Sequence, residues 1–132
     1  MQFQRDLTTQ APPDWRDEIE QTIIPRAFLD EVVFFHRDSK TQIVADMIMN
    51  YEPERLRQPY RMIARLVGVT APEGGMSPDL RVTFWPKKRD VRGSYEQVLS
   101  WRPERIILSH GRCFDANGGM VIRRAFRWAL GG

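Results

Sequence analysis

Two apolar runs flank four polar residues in the first third of the chain. Glu-Val-Val-Phe-Phe-His occupies 31–36, Arg-Asp-Ser-Lys follows, and Thr-Gln-Ile-Val-Ala-Asp occupies 41–46. β-Branched and aromatic residues on both sides of a short polar turn specify a β-hairpin. Neither run alternates cleanly, which predicts strands buried on both faces. Ile19 to Ile24 predicts a further strand, stopped by Pro25, and 105–109 predicts another around Ile106-Ile107-Leu108. Upstream, Phe3 to Leu7 reads as a short strand or arm, and Trp15 to Ile19 as a helical turn capped by Asp14.

Helical spacing takes over after residue 50. Leu56, Tyr60, Ile63 and Val67 recur at helix intervals and define one face, with Arg55, Arg57, Arg61 and Arg65 mostly off it. Pro59 interrupts this pattern, and Gly68 is a C-terminal stop. Residues 70–78 form a loop. Ser77-Pro78-Asp79 has the cap, first-turn proline and first-turn acid of a helix start. Leu80, Val82 and Phe84 alternate in the manner of a strand, but a short helix ended by Pro86 is preferred. Val91, Tyr95, Val98 and Leu99 predict a helix to about Trp101. Val121, Ile122, Ala125, Trp128 and Ala129 give a closing helix over 120–130 its apolar face, with Arg123, Arg124 and Arg127 turned away. Strands, helices, one strand, then a helix make an α/β domain: a mixed sheet covered by helices, with 1–132 as a single unit.

The totals narrow the function classes. A chain of 132 residues buries enough surface for a core without staples. No apolar run approaches the roughly 20 residues of a membrane helix. The opening Met-Gln-Phe-Gln-Arg-Asp lacks an apolar signal core, so a cytoplasmic location is expected. Cys113 is the single cysteine, which excludes an internal disulfide and a multi-cysteine zinc site. Nothing nearby in the sequence marks it as a nucleophile. The net charge of +3 comes almost wholly from arginine, since only Lys40, Lys87 and Lys88 are lysines. With a pI of about 9.4, nucleic-acid binding stays in view as an alternative role. The chain lacks the interleaved aromatic and basic platform that single strands require.

Ligand sites of layered α/β folds collect where loops leave strand ends. Asp46 and His110 each close an apolar run. If those strands are neighbours running the same way, both side chains reach one rim. Carboxylate and imidazole suit zinc, iron or manganese. Two ligands hold a metal weakly, however, and catalytic zinc typically has three from the protein. Spacing alone favours the plainer outcome, an Asp46–His110 hydrogen bond tying two strands together. His36 and Asp38 fall at the hairpin turn and read as surface and turn positions. Ser109 and His110 point to opposite strand faces and make a poor nucleophile–base pair. Walker, dinucleotide and Gly-x-Ser-x-Gly patterns are absent, so no catalytic or cofactor-binding residue is assigned.

Several of these stretches together resemble a known group. The 31–36 and 41–46 runs, Gly-Gly-Met at 74–76, Pro-Glu-Arg-Ile-Ile-Leu-Ser-His-Gly-Arg at 103–112 and Arg-Arg-Ala-Phe-Arg-Trp at 123–128 are similar to an uncharacterised bacterial family. That family is grouped with the metallo-β-lactamase-like hydrolases. The likeness runs from about Trp15 to Leu130 and covers only the C-terminal half of the usual domain. It implies half of a four-layer αββα sandwich. In that superfamily, metal-activated hydroxide attacks an ester, amide or phosphodiester. It matches Asp46 to the metal-bridging aspartate and His110 to the last ligand histidine. The His-x-His-x-Asp-His cluster is missing, and Ile24-Pro25-Arg26 stands where a further ligand histidine is normal. The resemblance therefore implies a metallo-hydrolase-like protein that is catalytically incomplete, binding zinc or iron weakly if at all. It also implies association with itself or with an N-terminal half through apolar residues of 19–46.

Overall fold

The computed structural model describes residues 6–130. In chain order the strands are β1 (Ile19–Ile24), β2 (Glu31–His36), β3 (Thr41–Ile43), β4 (Met49–Asn50), β5 (Arg105–Ile107) and β6 (His110–Gly111). The helices are α1 (Tyr60–Leu66), α2 (Pro78–Phe84), α3 (Lys88–Ser100), α4 (Gly118–Ala125) and α5 (Arg127–Leu130). A four-stranded mixed sheet runs in the order β1-β2-β3-β5, and β4 and β6 form a small second sheet. β1, β2 and β3 pair antiparallel through short turns, whereas β5 lies parallel to β3. Parallel pairing demands a long crossover, and α1, α2 and α3 occupy it. Among the described residues, no helix is long and apolar enough to cross a membrane.

The two faces of the main sheet differ. Ile24, Val33, Val44 and Ile106 point into a core shared with Val91, Tyr95 and Val98 of α3, Ile122 of α4, and Phe126. α3 is tied to that face by polar contacts as well. Gln97 Oε1 accepts from Thr22 Oγ1 at 2.7 Å, and Ser94 Oγ donates to the Ile23 carbonyl at 2.8 Å. Phe35 stacks on Trp101, with ring centroids 5.6 Å apart. On the other face, strand register aligns Ile23 with Val32, Phe34 with Ile43, and Ile43 with Ile107. None of these residues belongs to the core cluster, and Ile107 is 50% exposed.

The hairpin expectation is therefore corrected in one respect. β2 alternates between buried and half-buried positions, so its strands are covered on one face rather than both. β3 is also shorter than 41–46, because the backbone N–H groups of 45–47 turn aside to the Glu31 carboxylate. β5 ends at Ile107, and His110 opens β6. Gly111 adopts φ +108 there, packed so tightly on Asn50 that a Cβ would lie 2.2 Å from its carbonyl oxygen. Half of the expected apolar face of α1 is in solvent. This two-turn helix starts only after Pro59 and buries Ala64, leaving Tyr60 and Ile63 exposed. Gly68 does stop it, at φ +74. The Ser77-Pro78-Asp79 start and the helix through Val91, Tyr95 and Val98 both form. The closing helix begins earlier than 120 and breaks at Phe126, whose backbone leaves helical geometry. Of the 3–7 arm, residues 3–5 lie outside the described residues, and Leu7 is in no strand.

Candidate functional site

Asp46 and His110 meet at one rim of the sheet. Parallel pairing of β3 with β5 sends both chains out in the same direction. The Val44 N–H, bonded to the Ile107 carbonyl at 2.9 Å, extends that pairing one residue further. Asp46 then sits in the turn beyond β3. His110 is held by β6, where it aligns with Met49 of β4. His110 Nε2 donates to Asp46 Oδ1 at 2.9 Å, and both side chains remain partly open to solvent. The His110 ring is tilted against Tyr51, with centroids 6.3 Å apart.

Two further residues complete the rim. Glu31 opens β2 and is buried. Its Oε1 accepts three backbone N–H groups, from Ala45 at 3.0 Å, Asp46 at 3.2 Å and Met47 at 3.3 Å. The Glu31 side chain thereby fixes the turn that carries Asp46. Burial raises the Glu31 pKa above the ordinary carboxylate value; the Ala45 and Met47 N–H bonds and the Arg26 charge pull the other way. Arg26 places Nη2 4.0 Å from Asp46 Oδ2. Its Nε donates to the Leu29 carbonyl at 2.6 Å, and its guanidinium lies 5.8 Å from the Phe84 ring centroid.

This arrangement does not fit a catalytic metal centre. Among the described residues, no group of three His, Cys, Asp or Glu side chains converges in a way that could hold an ion. His110 Nε2 and Asp46 Oδ1 are engaged with each other, and among the described residues no third ligand joins them. Arg26 also brings a positive charge beside the Asp46 carboxylate, where a metal cation would have to sit. What the rim can do chemically is hold a charge-assisted hydrogen bond and present a polar patch above the sheet.

The other candidates fall elsewhere. His36 bonds Ser39 Oγ through Nδ1 at 2.7 Å in the hairpin turn. Cys113 is a free, exposed thiol. Sequence reasoning missed Glu31 and Arg26 as parts of the rim. A signal for Glu31 was present: an acid opening an otherwise apolar strand must find donors or cross into solvent. Arg26 had none beyond following Pro25. The sequence matches no protein-family model, and neither a curated protein nor a solved structure matches the chain.

Proposed function

We propose that this chain is the C-terminal half of a metallo-β-lactamase-like sandwich, metallo-hydrolase-like in ancestry and catalytically incomplete by itself. The observation that carries this reading is the Asp46–His110 hydrogen bond at 2.9 Å with Arg26 beside it. Two residues that the resemblance matches to metal ligands are satisfied by each other and by a cation from the protein. A sheet with helices on one face and half-covered apolar residues on the other supports the half-sandwich part of the reading. The open face is suited to another sheet, from a second copy of this chain or an N-terminal half. In this role the protein acts as an interaction module, and the rim is structural.

Calorimetric zinc titration of the wild type, Asp46→Asn and His110→Ala tests it, alongside turnover of ester and phosphodiester substrates. Weak zinc binding that either substitution removes, with no turnover, is the expected result. Tight zinc binding indifferent to both substitutions would put a metal site elsewhere. Turnover abolished by both would make the half-domain an enzyme and end this reading.

A further inference from the structure

A second region of the molecule gathers more positive charge than negative. A cleft of about 610 Å³ opens between the 73–75 loop and the last two helices, and Arg81, Arg124 and Arg127 line it together with Glu73, Gly74 and Gly75. Its size falls within the range of small-molecule sites, which is about 300–1,000 Å³. Three guanidiniums against one carboxylate leave it strongly positive. Asp46 and His110 do not line it, so a ligand here would owe nothing to the half-sandwich proposal or to metal binding at the rim.

The three arginines reach the cleft from different elements and are held differently. Arg81 projects from α2, and its Nε donates to the Met76 carbonyl at 3.0 Å, which fixes the guanidinium while using, among the described residues, one of its five N–H groups. Arg124 projects from α4 and is engaged by Glu73. Its Nη2 donates to the Glu73 carbonyl, and its Nη1 lies 3.6 Å from Glu73 Oε2. Arg127, from α5, is exposed. The loop is pressed into place by its glycines. A Cβ on Gly74 would lie 2.8 Å from the Met49 carbonyl oxygen, and one on Gly75 would lie 2.6 Å from that of Gly68. That close approach sets Glu73 against Arg124.

We infer that this cleft binds the phosphate group of a small molecule. Arginine forks match phosphate oxygens in paired hydrogen bonds, and three arginines lining one cleft suit a dianion better than a single carboxylate. Glu73 occupies Arg124 when the cleft holds no anion, and its exposed side chain is free to swing away as phosphate takes its place.

The test is calorimetry on the full chain at low ionic strength, with inorganic phosphate and adenosine monophosphate as probes. Removing one charge-assisted contact, by Arg127→Gln, should weaken binding about tenfold or more, whereas Arg55→Gln, which does not line the cleft, should leave it unchanged. Glu73→Gln should tighten it by about threefold or more, because Arg124 loses a competing carboxylate. A tighter fit for the monophosphate than for inorganic phosphate assigns the cleft to phosphate esters, and equal affinity assigns it to the free anion. Absence of binding to either probe at millimolar concentration overturns the inference. So does binding that Arg127→Gln leaves intact, or that Glu73→Gln weakens.

Discussion

Glu31 holds Asp46 by the backbone, not by the side chain: its Oε1 accepts the Asp46 N–H at 3.2 Å, together with the N–H groups on either side. The residue that opens β2 thus determines where the carboxylate of the rim can sit. Glu31→Gln should lower stability by about 1–3 kcal/mol, since an NH₂ group would take the buried position of Oε2, which has no hydrogen-bond partner among the described residues. Urea unfolding at neutral pH measures this. Loss of the Asp46–His110 contact in the variant's structure would accompany it.

The pH dependence of that residue runs against the usual pattern for acids. Glu31 ionises less readily in the folded chain than at its ordinary value of 4.5. Between that value and its higher folded pKa, the folded state holds more protons than the unfolded one. Its contribution to stability therefore declines as pH rises upward from about 4.5, and is most favourable in acid. Urea midpoints of wild type and Glu31→Gln between pH 4 and pH 8 should show the wild-type advantage shrinking as pH rises. An advantage that grows with pH would mean that the N–H donors, not burial, dominate.

Gln42 lies fully buried in β3, on the side of the sheet that carries Ile106 and Phe35, and neither of its amide atoms has a hydrogen-bond partner among the described residues. Gln42→Met keeps the volume and removes both unpaired polar atoms, so stability should rise by about 1–3 kcal/mol. Thermal and urea melts of the two proteins decide the matter, and a lower midpoint in the variant would refute it.

Ile107 sits half-exposed on the open sheet face. Ile107→Lys should cost only about 0.5 kcal/mol or less in the folded monomer, while disrupting any apolar association through that face. Light scattering across micromolar concentrations should find the wild type associating and the variant monomeric. A wild type that stays monomeric throughout would remove self-association from the proposal.

Gly111 follows His110 at a backbone angle that L side chains rarely adopt, with no space for a Cβ beside Asn50. Gly111→Ala should therefore cost about 2 kcal/mol or more and loosen the β4–β6 pairing. The imidazole resonances of His110, followed by NMR, should shift in the variant even where unfolding is not complete.

Much of this layout could be read from residue patterns. β1, β2, the turn at 37–40 and α3 follow from local runs and spacing, because each is specified by contacts a few residues away. The meeting of Asp46 and His110 was also legible, given two apolar runs each ending in a polar residue. The failures are tertiary. Leu56, Tyr60, Ile63 and Val67 carry a helical period, yet nothing in the sequence says whether a body lies against that face, and α1 leaves Tyr60 and Ile63 in water. The Val-Val-Phe-Phe run looked buried on both faces because it is apolar throughout, and the outer residues turned out half-covered. Arg26 joined the rim through a loop conformation that its neighbours did not announce.

Asp46 and His110 are 64 residues apart, and only the docking of β5 beside β3 brings them together. The β1–β2–β3 meander closes through short turns, so it can assemble early. β5 must wait until the whole crossover has looped back, a slower event with a larger entropic barrier. The topology therefore predicts that the rim forms after the meander, an order that pulsed hydrogen exchange during refolding reads directly. The rim is also lost when the C-terminal third lets go, whatever becomes of the hairpin.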